Sequence, residues 1–192
     1  MPAIEDKSSL RQQMLLQRKA LSPAVATARG RSLCQYLQEW PLYQQAATVM
    51  AYLAMPGEPN LDRLLAAAIS AGKTVCVPLM GPVYGVMESA AFTDFSQLTT
   101  GRLGVRMPAS QHCRIVDPGL VDLVLVPGVA FDRDGGRLGM GAGYYDRFLL
   151  RAPQAVRTGV SWSRQLVKQV PREEHDLTMQ WLATECGLIR CG

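Results

Sequence analysis

One stretch of the sequence constrains the fold more than any other. Residues 123–129 form a short, continuous, largely β-branched apolar run, which predicts a fully buried strand. Residues 144–151 have the pattern of the first turns of an amphipathic helix. Between these segments lie five glycines: Gly135, Gly136, Gly139, Gly141 and Gly143. A strand, a glycine-rich loop and a helix start are typical of phosphate binding in α/β folds, because backbone N–H groups at the helix N-terminus point at the anion.

The spacing of the glycines excludes the two common nucleotide motifs. A G-x-G-x-x-G fingerprint starting at Gly139 would need glycine where Tyr144 stands, and one starting at Gly141 would need it at Asp146. The chain has no G-x-x-x-x-G-K-[ST], so it contains no P-loop. Arg137 precedes the loop, and its planar guanidinium suits a phosphate oxygen. Asp146 is of the type that ligates Mg²⁺ beside substrate phosphates. A plain surface turn, with Asp146 as a helix-start charge, stays open as the alternative.

A family resemblance adds to this pattern. Residues 137–146 read RLGMGAGYYD and follow VPGVAFD at 126–132. Together they resemble the signature of the 5-formyltetrahydrofolate cyclo-ligases, also called methenyltetrahydrofolate synthetases. Weaker matching continues over nearly the whole chain. Ala142 is a departure, because many family members have lysine or glycine there. Binding of ATP by this loop would therefore depend more on backbone N–H groups and Arg137.

The resemblance implies a role for each matching residue. The implied ATP-binding residues are Lys7, Arg11, Arg137, Leu138, Gly139, Met140, Gly141, Ala142, Gly143, Tyr144 and Tyr145. Three of them, Arg137, Tyr144 and Tyr145, are also the implied catalytic residues. The implied folate contacts are Leu53 and Glu58. The implied Mg²⁺ ligands are Asp146 and Asp176.

Local patterns leave alternatives for several of these residues. Lys7, Arg11 and Arg18 share one helical face, which on pattern alone favours a solvated basic stripe. The resemblance implies contact with the phosphates of ATP for Lys7 and Arg11 only. Glu58 follows the first predicted strand and has the alternative of a solvated turn carboxylate. Leu53, at the end of that strand, has the alternative of an ordinary core residue.

The order of elements predicts an α/β fold. Helices are expected at 5–21, 22–40 and 61–71, and strands at 48–54, 74–79, 83–92, 155–162 and 181–189. Residues 48–79 form a β-α-β unit, which is expected to be parallel. Residues 93–119 form a long connection with a short helix at 94–98. We expect one domain, 1–192, folded as a three-layer α/β/α sandwich with a mostly parallel, mixed sheet, which the family also implies.

Composition narrows the classes of partner and compartment. The net charge is +4 and the cations form no runs, so a nucleic-acid surface is not expected. No 18-residue apolar stretch occurs, and we expect no membrane span. The five cysteines form no C-x-x-C and no metal spacing, and such an odd, scattered set favours reduced thiols in a cytoplasmic protein. A catalytic cysteine is not expected, because neither His112 nor His175 lies in a nucleophile motif. We expect a monomer.

The function that the resemblance implies is a ligase reaction. It would convert 5-formyltetrahydrofolate to 5,10-methenyltetrahydrofolate, with ATP as co-substrate, Mg²⁺ as cofactor, and ADP and phosphate as released products. The formyl oxygen would attack the γ-phosphorus of ATP, and N10 would then close the ring. Two alternatives stay open. One is a diverged relative without the activity, and the other is a module that binds a nucleotide without turnover.

Overall fold

The computed structural model describes residues 6–81, 83–101, 105–109, 114–173 and 176–192. His112, Cys113 and His175, which the sequence analysis considered, lie outside the described residues. Within those ranges, no helix has the length and apolar character needed to cross a membrane.

An eight-stranded sheet forms the centre of the molecule. In spatial order its strands are β12 (Gly187–Arg190), β11 (Trp181–Thr184), β10 (Val156–Val160), β7 (Leu123–Pro127), β1 (Thr48–Ala51), β2 (Thr74–Met80), β3 (Met87–Ala91) and β6 (Arg114–Val116). The five strands from β11 to β2 are parallel, and the outer three pair antiparallel. The expected mostly parallel, mixed sheet is confirmed.

Helices cover both faces of this sheet. The helices are α1 (Lys7–Lys19), α2 (Pro23–Glu39), α3 (Pro41–Gln45), α4 (Asp62–Ser70) and α5 (Tyr144–Arg151). On one face, Leu33 and Leu37 of α2 and Leu64 of α4 pack in one core with the alternate strand residues Val49, Ala51, Val75, Val77, Leu123 and Leu125. On the other, Phe148 and Leu149 of α5 pack with the intervening residues Met50, Cys76, Val124 and Val126. Because strand side chains alternate between faces, this division gives the expected three layers.

Local signals placed the helix ends well. Ser22 caps α2 and Pro23 is its first residue, as predicted. Asn60 accepts a hydrogen bond from the N–H of Asp62 at 2.7 Å at the start of α4. Gly72 follows α4 with φ of 79°, a left-handed conformation that favours glycine. The short helix near 94–98 is a 3₁₀ turn, Phe95–Gln97, which Asp94 caps.

Several predicted elements differ from the structure. The expected single strand at 181–189 is a hairpin, β11–β12, so β12 alone forms that edge of the sheet. Pro41 ends α2 but also begins α3, because proline is favoured at the first helical position. The connection at 93–119 contains a second hairpin, β4 (Leu98–Thr100) with β5 (Arg106–Pro108), as well as β6. The strand expected at 123–129 ends at Pro127.

A small hairpin interrupts the stretch between β7 and α5. It pairs β8 (Ala130–Phe131) with β9 (Arg137–Leu138), and the first two glycines of the loop lie in its turn. Leu10 and Met14 of α1 pack in one cluster with Ala130 and Leu138 of this hairpin. The five glycines thus serve two purposes, since two form a turn and three border the site described below.

Asp132 fixes this hairpin from inside. Its carboxylate is fully buried and accepts hydrogen bonds from the backbone N–H groups of Asp134, Gly136 and Val170, at 3.1, 2.7 and 2.7 Å. The first two donors hold the turn closed, and the third ties the hairpin to the late segment at 170.

We predict that Asp132→Ala destabilises the protein by about 3 kcal/mol, because two fully buried N–H groups and one partly buried N–H group lose their acceptor. Chemical denaturation measures this change. Asp134→Ala is the matched control, since that neighbouring side chain is 68% exposed, and we expect a change within about 0.5 kcal/mol. Equal effects of the two substitutions would contradict the assigned role of Asp132.

Candidate active site

A cavity of about 600 Å³ opens beside the carboxyl ends of β1, β2 and β7. Open α/β sheets place their ligands at this edge. All of the candidate residues from the sequence line it: Lys7, Arg11, Leu53, Glu58, Arg137, Leu138, Gly139, Met140, Gly141, Ala142, Gly143, Tyr144, Tyr145, Asp146 and Asp176. The fold therefore brings together residues from α1, the turn after β1, the glycine loop, the start of α5 and the late segment.

The glycine loop, residues 139–143, forms one wall of the cavity. Gly141 and Gly143 have φ of 101° and 66°, and Gly143 directly precedes α5. Arg11 donates through Nε to the carbonyl oxygen of Gly139 at 2.9 Å. Arg147 donates to the carbonyl oxygen of Ala142 and, at 2.8 Å, to that of Gly85. The loop is thus held from α1 on one side and from α5 on the other.

Arg137 and Asp146 form an ion pair at the base of this wall. Nη2 of Arg137 lies 2.7 Å from Oδ2 of Asp146, and the two side chains are 6% and 17% exposed. The Arg137 guanidinium also lies 5.8 Å from the ring centre of Tyr145. Among the described residues, Nε of Arg137 has no hydrogen-bond partner. A buried donor without a partner at a cavity wall is suited to an anionic ligand.

A second ion pair joins the N-terminal helix to the late segment. Nζ of Lys7 lies 2.7 Å from Oδ2 of Asp176 and 2.9 Å from Oε1 of Glu173. Burial alone would lower the pKa of Lys7, but hydrogen bonds to the two carboxylates outweigh it and the pKa is raised. Lys7 therefore keeps its charge at the cavity. Glu173 was not singled out from the sequence, because nothing local distinguishes it from a solvated acidic turn.

Asp146 and Asp176 fit an Mg²⁺ ion that also binds phosphate. Both carboxylates line the cavity, next to the cations Arg137 and Lys7. Mg²⁺ takes one or two carboxylates, waters and substrate phosphates, so this donor set suits it. In the part of the chain that the structure describes, no three His, Cys, Asp or Glu side chains converge to hold a metal alone. Metal binding here would therefore require phosphate oxygens as well.

Tyr145 lines the cavity, and its hydroxyl is buried and neutral. Burial raises the pKa of Tyr145 above 10.0, nearby Glu58 raises it further, and Arg137 lowers it. The hydroxyl is buried and has no hydrogen-bond partner within the described ranges. The ring of Tyr144 contacts that of Tyr84 edge-on, with centroids 5.8 Å apart. The two tyrosines therefore differ, because Tyr145 offers a buried donor and Tyr144 packs at the rim.

Glu58 and Leu53 line the same cavity as the glycine loop and Arg137. Leu53 belongs to the main core and also lines the cavity, and its contact with the folate stays a prediction. Glu58 is not a solvated turn carboxylate, because its side chain is only 12% exposed. Its Oε1 accepts a hydrogen bond from Arg18 at 3.0 Å and its Oε2 accepts one from the N–H of Met55 at 3.0 Å.

The hairpin β4–β5 supplies a wall that the sequence did not assign. Val105, Arg106 and Met107 line the cavity, and Arg106 binds both carboxylate oxygens of Asp62 at 2.8 and 2.9 Å. This bidentate pair fixes the hairpin to α4. Other lining residues that sequence reasoning missed are Tyr52, Met55, Pro78, Met80, Pro127, Gly128 and Val129. Their position next to the ends of predicted strands was the available signal.

Comparison with known proteins identifies the family of the chain. The sequence profile of the 5-formyltetrahydrofolate cyclo-ligase family matches residues 3–185. The chain belongs to this family.

Relatives match over most of their length. The 5-formyltetrahydrofolate cyclo-ligase of Escherichia coli K12 is 30% identical over 170 residues, covering 87% of this chain and 93% of the relative. That of Mycolicibacterium smegmatis is 30% identical over 182 residues, covering 93% of each chain. The NMR structure of Aquifex aeolicus 5,10-methenyltetrahydrofolate synthetase superimposes with a TM-score of 0.85 at 30% identity, covering 96% of this chain and 92% of that one.

We predict that Tyr145 stays protonated at pH values at which an ordinary tyrosine, with a pKa near 10.0, ionises. The rise in tyrosinate absorbance between about pH 9 and 11 should then be the same in Tyr145→Phe as in the unchanged protein. The same titration in denaturant is the control, since five tyrosines instead of six should ionise there in the variant. A smaller rise in the folded variant would show that Tyr145 ionises normally.

Proposed function

We propose that this protein converts 5-formyltetrahydrofolate to 5,10-methenyltetrahydrofolate, consumes ATP and requires Mg²⁺. One observation carries the proposal. A single cavity is lined both by a glycine loop with phosphate-type cations beside it and by a largely buried carboxylate, Glu58. The cavity therefore offers cations and a glycine loop to a nucleotide, and a carboxylate to a second, non-phosphorylated substrate. Family membership supplies the identity of the second substrate, because the relatives are named for 5-formyltetrahydrofolate.

ATP would bind through the loop and the cations around it. The backbone N–H groups of residues 139–143 and the side chains of Lys7, Arg11 and Arg137 suit phosphate oxygens. Asp146 and Asp176 would hold Mg²⁺, which when bound neutralises phosphate charge. Lys7 and Arg137 now pair with these carboxylates, so they are already held at the cavity when the phosphates arrive.

The reaction needs an activated oxygen. A formyl oxygen on nitrogen is a poor leaving group, so ring closure by N10 cannot expel it directly. Attack of this oxygen on the γ-phosphorus of ATP forms an O–P bond and releases ADP. N10 then bonds to the formyl carbon and loses its proton to solvent, and the C–O bond breaks to release phosphate. Phosphoryl transfer asks the protein chiefly for positioning and for stabilisation of negative charge, which the cations and loop N–H groups supply.

Tyr145 and Glu58 would position the folate. The Tyr145 hydroxyl is buried, neutral and without a partner among the described residues, so it can donate a hydrogen bond to the formyl or a phosphate oxygen. Glu58 is fixed by two donors and would contact the folate near N10. Tyr144 would border the phosphates, and Leu53 would contact the folate.

We also propose that the chain acts as one domain, as a monomer and in the cytoplasm. The two cores on either face of one sheet support the first point. The four described cysteines, Cys34, Cys76, Cys186 and Cys191, are unpaired, which supports a reducing compartment.

The activity is tested by the absorbance of methenyltetrahydrofolate. Purified protein is mixed with 5-formyltetrahydrofolate, ATP and Mg²⁺, with ATP or Mg²⁺ omitted as controls. We expect the product band to grow only in the complete mixture, with one ADP released per product. ATP binding without product would instead favour a nucleotide-binding module or a diverged relative.

We predict that Arg137→Ala lowers kcat/KM for ATP by about 100-fold, because a buried guanidinium that faces the phosphates is lost. Arg137→Lys should restore part of this loss, since it keeps the charge but loses the planar donor fork. The matched control is Arg133→Ala, an exposed arginine on the adjacent hairpin turn that does not line the cavity. A kcat/KM for ATP within about two-fold of that of the unchanged protein would remove Arg137 from the mechanism.

A further inference from the structure

Arg18 is a buried cation beside the cavity that the assigned sites do not include. It lies near the end of α1, and its side chain is 9% exposed. Its Nη1 donates to Oε1 of Glu58 at 3.0 Å, across 40 residues of sequence. Arg18 is not among the residues that line the cavity. A buried arginine that faces a cavity carboxylate from behind can affect a ligand only through that carboxylate.

The turn that carries Glu58 is built around this contact. Gly57 has φ of 85°, and a Cβ added there would lie 3.3 Å from Cγ of Arg18, so the arginine side chain passes directly over the glycine. The carbonyl oxygen of Gly57 accepts a hydrogen bond from Nε1 of Trp162 at 2.8 Å. The Tyr52 hydroxyl donates to the carbonyl oxygen of Pro59 at 2.7 Å. The backbone of the turn is thus held independently, and Arg18 adds the contact that orients the Glu58 side chain.

The two oxygens of Glu58 have separate restraints. Oε2 accepts the N–H of Met55, three residues earlier, which fixes the carboxylate to its own turn. Oε1 is bound by Arg18, which reaches it from another element of the fold. Removing Arg18 would therefore leave the carboxylate with one local hydrogen bond and freedom to rotate about it. It would also leave a largely buried negative charge without its counter-ion.

The same helix serves both halves of the cavity. Lys7 and Arg11, in the first turns of α1, contact Asp176 and the glycine loop. Arg18 is eleven residues beyond Lys7, which is about 16 Å along a helix at 1.5 Å per residue. The three cations therefore divide by contact: Lys7 and Arg11 bind Asp176 and the glycine loop, and Arg18 binds Glu58.

We propose that Arg18 is a positioning residue for the folate: it orients the Glu58 carboxylate toward the cavity and has no direct part in ATP binding. This inference rests on the proposed function, because it takes 5-formyltetrahydrofolate as the ligand that Glu58 contacts. The basic stripe predicted from the sequence then has two functions. Lys7 and Arg11 contact the phosphate side of the site, and Arg18 acts on the binding of the folate.

The test compares the binding of the two substrates in variants of this pair. Arg18→Met keeps the length of the side chain and removes its charge, and calorimetry gives the Kd of 5-formyltetrahydrofolate and of ATP separately. We expect the folate Kd to rise about ten-fold, as when one partner of a buried ion pair is truncated, while the ATP Kd stays within about two-fold. Arg18→Lys should recover part of the folate affinity. An equal loss for both substrates would overturn the proposal.

A double-mutant cycle tests whether Arg18 acts through Glu58. If it does, Arg18→Met should add little to the folate defect of Glu58→Gln, because the group it orients is already changed. Additive defects would overturn the proposal. Arg29→Met is the matched control, because Arg29 forms an ion pair with Glu185 at an N–O distance of 3.1 Å and neither residue lines the cavity. Both Kd values should be unchanged in this variant.

The design separates this inference from the proposed function. Unchanged protein that binds no 5-formyltetrahydrofolate overturns both. If the unchanged protein and Arg18→Met bind 5-formyltetrahydrofolate with the same Kd, only the positioning role of Arg18 is overturned. Thermal unfolding of each variant checks that it is folded, and if Arg18→Met does not fold, Arg18→Lys gives the same comparison of the two substrates with a smaller expected shift.

Discussion

The site depends on ion pairs that join α1 to two carboxylates that line one cavity. Lys7 binds Asp176, and Arg18 binds Glu58, at N–O distances of 2.7 and 3.0 Å. The body of the protein supplies both carboxylates, and the N-terminal helix supplies both cations. A helix that packs through few apolar residues thereby becomes part of the site, because two of its charges pair with carboxylates that line the cavity. The remaining cation, Arg11, holds the glycine loop through a backbone carbonyl.

The parallel sheet explains why these groups meet. The carboxyl ends of β1, β2 and β7 lie at one edge, so the segments that follow them share a boundary. The turn after β1 brings Glu58, and the chain after β7 brings the hairpin and then the glycine loop. The charges at this edge are arranged before any ligand contributes to them. Such pre-organisation lowers the reorganisation that phosphoryl transfer would otherwise require.

Sequence reasoning succeeded where the determining signals are local. The strand, glycine loop and helix start are encoded within about two dozen consecutive residues, and Ser22–Pro23 fixes the start of α2 without tertiary contacts. It did not reveal partners that are distant in sequence. Arg18 has the same local pattern as Lys7 and Arg11, and only folding shows that it faces Glu58. The hairpin β4–β5 has short strands and weak alternation, so its pairing and its place on the cavity depend on the Arg106–Asp62 contact.

The central claim is that nucleotide and folate bind side by side in this cavity. A crystal structure of the protein with 5-formyltetrahydrofolate and a non-hydrolysable ATP analogue tests it most directly. In that complex we expect the phosphates to contact residues 139–143, Lys7 and Arg137. The folate should contact Glu58, with the formyl oxygen facing the terminal phosphate. A ternary complex in which either ligand binds outside the cavity, or in which the phosphates contact Glu58, would contradict it.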